Sequence, residues 1–133
     1  MATTQLPYAL KTSTSMSFDA AVDAVKAAFK AEGFGVLTEI DVSATLKAKL
    51  GIDTPPYVIL GMCNPQLAHQ SLSLEIDIGV LLPCNVVVYE HKGQTTISAQ
   101  DPALMVSITG NEQLKEIAGE AATRVKRAMD SLP

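Results

Sequence analysis

Tryptophan is absent from the 133 residues, and only three tyrosines and three phenylalanines are present. So few rings cannot build the stacking platform on which single-stranded nucleic acids are held. Positive charge is scarce as well: ten Lys and Arg face fourteen Asp and Glu, for a formal net charge of −4. A protein that neutralises many phosphates needs a basic stripe. The one cluster, Arg124, Lys126 and Arg127, falls near the end of a helical segment, where cations offset the negative end of the helix. Nucleic acid is therefore excluded as a main partner. Two cysteines are too few for a disulfide scaffold. The most apolar run, 76–88, is broken by Asp77, Pro83 and Asn85 and falls short of the roughly 20 apolar residues of a membrane helix. Residues 1–14 lack a basic stretch followed by an apolar core, so no signal peptide is read and a cytoplasmic location is expected. Walker, G-x-G-x-x-G, G-x-S-x-G and EF-hand patterns are all missing.

What is present is an aliphatic chain, 47% hydrophobic, of a length suited to one domain. No linker or repeat divides it, so a single domain over 1–133 is expected, with its core at about 7–132. Residues 7–14 alternate as a strand. Ser17 caps a helix that carries Phe18, Val22, Val25 and Phe29 on one face and stops at Gly33. Residues 35–40 read as a strand, and Asp41 opens a short helix ending at Gly51. Residues 57–62 form an almost wholly apolar strand, expected to be covered on both faces. Asn64-Pro65 starts a helix running to about Glu75, because Asn caps exposed amides and Pro fits the first helical position. Residues 80–91 read as the longest strand, with Pro83 marking an edge or bulge, and Lys92-Gly93 turns into a strand over 94–99. Thr109 and Glu112 suggest a capping box for a last helix with Leu114, Ile117, Ala121, Val125, Ala128 and Leu132 on one stripe. The order predicts an α+β domain: a mixed β-sheet of about five strands with helices packed on it.

Chemistry has few places to sit. Cys63 stands between a strand end and the helix start at Asn64-Pro65, where positive partial charge favours anions and thiolates. Cysteine is also among the most buried residue types, so a packed structural thiol is the alternative. Cys84 follows Pro83 on an apolar strand face, and Asn85 needs a hydrogen-bond partner if it is buried. Should the helix after Cys63 pack beside the long strand, Cys63, His69 and Cys84 would meet, a donor set suited to zinc or copper. A closed zinc site needs a fourth ligand, no paired-ligand spacing is visible, and no cofactor is predicted. The same residues could serve a thiol nucleophile at Cys63 with a histidine base and Cys84 as resolving thiol. The long apolar strand could instead make a protein–protein contact with no ligand.

The run Ile59-Leu60-Gly61-Met62-Cys63-Asn64-Pro65, followed by Ala68-His69, resembles the first motif of the prokaryotic family called domain of unknown function 302. Residues 78–90, centred on Leu82-Pro83-Cys84-Asn85-Val86, resemble its second motif, and Asp101-Pro102 with Met105 its third. The likeness extends from about Tyr8 to Leu132. It implies a small α+β fold with a mixed sheet, assembled as a homodimer, and it implies no reaction. It also places Cys63, Asn64 and Pro65 with Pro83, Cys84 and Asn85 in the two main motifs. The expected function is a homodimeric binding or accessory module with a pocket at Cys63, Asn64, Pro65, His69, Cys84 and Asn85. A small anionic or thiol-reactive ligand or a metal ion would suit it. A thiol-dependent protein using Cys63 and a ligand-free interaction module are the alternatives.

Overall fold

Ser17 sets the first helix: the Ala20 N–H donates to its Oγ at 3.2 Å, satisfying one of the orphan amides of the first turn. The helix, α1, spans Phe18–Ala31 and buries Ala21, Val22, Val25 and Phe29. It ends where Gly33, at φ +86°, lets the Phe34 N–H reach back to the Phe29 carbonyl. The computed structural model describes residues 3–133, so the readings that include residues 1 and 2 lie in that part outside the described residues.

Two short strands precede α1: β1 (Thr4–Gln5) and β2 (Ala9–Thr14). After it come β3 (Gly35–Asp41), α2 (Val42–Leu50), β4 (Tyr57–Cys63) and α3 (Pro65–Leu74). A 3-10 turn over Ile76–Leu81 leads to β5 (Cys84–His91) and β6 (Gln94–Gln100). The chain closes with α4 (Leu104–Thr109), a second 3-10 turn (Glu112–Leu114) and α5 (Lys115–Asp130). Lys92 and Gly93 both take positive φ, 53° and 76°, and join β5 to β6 by the hairpin turn whose twist matches the strands.

The domain is α+β. Its sheet has six strands in the order β1-β2-β6-β5-β4-β3, and every neighbouring pair is antiparallel. About five strands was close to the six found; the expected mixed pairing is replaced by an antiparallel one, since β2 pairs across the chain with β6 and β3 returns to β4 through α2. Helices α1 and α5 cover one face, where Val58, Leu60, Met62, Val86, Val88, Ile97 and Ala99 form the core with Phe29 and Val125. The opposite face carries Tyr57, Ile59, Val87 and Tyr89, all half-buried. β4 is therefore not sealed on both sides.

Two further differences have local causes. The strand expected from Val80 begins only at Cys84, because Ile78 is drawn into a second core with Met105, Leu114 and Ala118, coiling 76–81. Pro83 stands just before the ladder, where its missing N–H leaves no gap. No capping box forms at Thr109: its hydroxyl bonds the Met105 carbonyl at the end of α4, and Asn111 caps the next turn by accepting from Gln113 N–H at 3.0 Å. Arg127 stands in the last turn of α5, as read, and with Arg124 it also reaches the end of α1: Arg124 donates to the Glu32 carbonyl at 3.0 Å, and Arg127 pairs with the Glu32 carboxylate at 2.9 Å.

Candidate functional site

The end of β4, the start of α3 and the start of β5 converge on one cavity of about 340 Å³. The register explains the convergence. Met62 pairs with Cys84 across β4 and β5, so the residue after Met62, Cys63, comes to the same end of the sheet. Asn64 then turns the chain into α3 by accepting the Leu67 N–H on Oδ1 at 3.2 Å. Its amide nitrogen lies so close to Gly33 that a Cβ there would sit 2.9 Å away, so the end of α1 and the start of α3 fit only around glycine. Leu67, Ala68 and Ser71 of α3 form one wall, and Ile117 and Ala121 of α5 another. Leu37 and Leu72, 65% and 36% exposed, stand at its rim.

The two sequence motifs are also locked together on the far side of the sheet. A Cβ on Gly61 would run into Thr38 Oγ1 and lie 2.8 Å from Pro83 Cγ. The close approach that a glycine permits is made here by neighbouring side chains. The Leu82-Pro83 peptide bond is cis.

The cavity is apolar and uncharged. No Lys, Arg, His, Asp or Glu lines it; its polar groups are the two thiols, Asn64 and Ser71. The Ser71 hydroxyl is occupied, donating to the Leu67 carbonyl at 2.9 Å. Burial raises the Cys63 thiol above its usual range. Burial, with a smaller contribution from Cys63, pushes Cys84 up to about 11. Loss of hydration disfavours the charged form of each thiol, so both are neutral at pH 7. The cysteines are free.

Cys63, Asn64 and Cys84 are brought together with Pro83; the other nominated residues are not. His69 is exposed on α3 and does not line the cavity. Pro65 occupies the first turn of α3 and is also exposed. Asn85 faces the other side of the sheet, where its N–H donates to Gln100 Oε1 at 3.2 Å and it borders a shallower groove with Tyr8, Tyr57 and Val87. Among the described residues, no three His, Cys, Asp or Glu side chains cluster as metal ligands, so the set Cys63, His69 and Cys84 is not assembled. Sequence reasoning missed Phe34, Leu37, Ile117 and Ala121. Ile117 and Ala121 were visible only as part of the stripe of α5.

The model of the family "Domain of unknown function DUF302" matches residues 10–132. The chain belongs to this family. A solved structure, "Crystal structure of uncharacterized conserved protein DUF302 from Bacillus stearothermophilus", superposes with a TM-score of 0.88 at 32% identity, covering 96% of this chain and all of that one. No curated protein matches. The family's description assigns no activity. Among the described residues, no helix is long and apolar enough to cross a membrane.

Proposed function

We propose that this DUF302 domain is a homodimeric binding module whose cavity takes a small, neutral, largely apolar ligand. The observation that carries the reading is the cavity at the meeting point of the first two motifs, walled by aliphatic side chains and without a charged group. Its volume falls at the lower end of the roughly 300–1,000 Å³ of small-molecule sites, which are lined in the same way, with few polar groups to orient the ligand. Asn64 and the two thiols would do the orienting. An anionic ligand, the other class suggested by the helix start, finds no cation in the lining. A thiol nucleophile is less well supported: both thiols are held neutral, and no base stands beside them.

The dimer part of the reading rests on the half-open sheet face. Tyr57 and Tyr89 stack there with centroids 5.2 Å apart and planes 10° from parallel, next to Ile59 and Val87. By strand alternation no carboxylate of β3 to β6 falls on this face. A second copy could therefore cover it without opposing like acidic charges.

The neutral dye N-phenyl-1-naphthylamine tests the cavity. The wild type is expected to enhance its fluorescence saturably and to melt at higher temperature in its presence. Ala68→Trp, which fills the cavity from the half-buried side of α3, should abolish both effects while keeping the far-UV circular dichroism. Dye binding that survives in this folded variant, or no binding by the wild type, would overturn the ligand reading.

A further inference from the structure

The sulfur content of the cavity has a use that an apolar ligand does not require. Four of its lining residues carry sulfur: Met62, Cys63, Cys84 and Met105. The chain has seven sulfur-bearing side chains, two Cys and five Met, so more than half of them meet here. Three of the four are fixed by one stretch of antiparallel ladder. Met62 and Cys84 are direct partners, Cys63 is the next residue along at the end of β4, and both thiols line the cavity, near enough that Cys63 adds to the upward shift of Cys84. The fourth, Met105, comes from α4 and is 3% exposed.

Donor chemistry selects the occupant. Thiolates and thioethers are soft and prefer Cu(I) and its like; zinc in a structural site needs four ligands of Cys, His or carboxylate type. Among the described residues, no third Cys, His, Asp or Glu joins the two thiols. We propose that Cys63 and Cys84 bind one soft monovalent d10 cation of the Cu(I) class as a two-coordinate bis-thiolate, in a cavity whose lining also includes the thioethers of Met62 and Met105. Two S–H bonds break and two Cu–S bonds form. Both protons pass to solvent, and copper keeps its oxidation state. The resulting single negative charge lies just ahead of α3, whose positive end begins at Asn64 and offsets it. The aliphatic walls exclude the water and hard anions that would compete for the ion.

This inference does not rest on the apolar-ligand reading, and the two fail separately. The test is an anaerobic titration of the fully reduced protein with Cu(I) held by bicinchoninate. The wild type should withdraw one Cu(I) per chain from the chelator, and both thiols should become protected from alkylation together. Cys63→Ser and Cys84→Ser each remove a ligand and should weaken uptake by more than the roughly 10–100-fold typical of losing an outer-shell partner. His69→Ala should leave it unchanged, and Zn(II) should not be retained against a chromophoric chelator. Ag(I) should compete for the same thiols. No transfer to the wild type, uptake that persists in the double Ser variant, or equal retention of Zn(II) would each overturn the proposal. If Cys84→Ser fails to fold, Cys63→Ser and the joint alkylation protection decide it. Binding of the neutral dye to the Ser variants shows whether the cavity itself is intact.

Discussion

Cys84 shows how little a thiol's neighbours in sequence say about its chemistry. Beside a proline and ahead of an asparagine it looks available, yet its ionisation is pushed up to about 11 by burial, with Cys63 adding to the shift. A thiol whose pKa rises on folding favours the folded state while it is protonated. That contribution is complete below its ordinary value of 9.0 and is lost as pH climbs through about 11. Stability should therefore fall between roughly pH 9 and 11 more steeply in the wild type than in Cys84→Ala, as read by urea denaturation at each pH. Over the same range Cys84 in the native protein should change from inert to readily alkylated. A Cys84→Ala profile parallel to the wild type would show that burial of this thiol is not coupled to folding. The sequence did expose the pairing of Cys63 and Cys84 in two motifs. It did not reveal the sign of their shifts, because the walls that dehydrate them come from α3 and α5.

Among the elements, α3 owes its start to Asn64, which is itself buried at the edge of the cavity. Replacing a capping Asn by Ala typically costs about 1 kcal/mol. Asn64→Ala should lose that much in chemical denaturation, whereas Asn64→Asp, which keeps an acceptor for the Leu67 N–H, should retain most of it. The periodic elements were legible: α1, α3, α5 and the β5–β6 hairpin all lie within a few residues of where spacing and turn chemistry put them. The segment 76–83 was not. Ile76, Ile78, Val80 and Leu82 alternate as a strand would, but Ile78 is 1% exposed while Ile76 and Val80 are 77% and 86% exposed. One anchor inserted between α4 and α5 outweighed the alternation. Likewise α4 has six residues, too few to repeat a helical period.

At the scale of the molecule, the unsatisfied feature is the sheet face with the stacked tyrosines. Isologous association of two copies would bring Val87 toward the partner's sheet. If two copies associate through this face, Val87→Arg should leave only monomer in light scattering after gel filtration, with the melting of the monomeric fold changed by no more than a few degrees. A wild type that is already monomeric at tens of micromolar would remove this part of the reading. The sequence nominated the long apolar strand, which carries Val87 and Tyr89, as a contact surface, but not which of its faces, since Tyr57, Ile59, Val87 and Tyr89 follow the same apolar runs as the residues that fill the core. Only the position of α1 and α5 on one side of the sheet tells the two faces apart.

The place of β2 beside β6 also sets a schedule. Ala9 is paired with Gln100, and Thr14 with Thr95. A chain emerging from the ribosome holds β2 and α1 without their sheet partner until β5 and β6 have both been made. Contacts so distant in sequence pay their closure entropy before any pairing repays it, which slows folding toward milliseconds or longer. The apolar stripe of α1 is thus exposed for most of synthesis. The domain's period of greatest vulnerability falls before its last third exists.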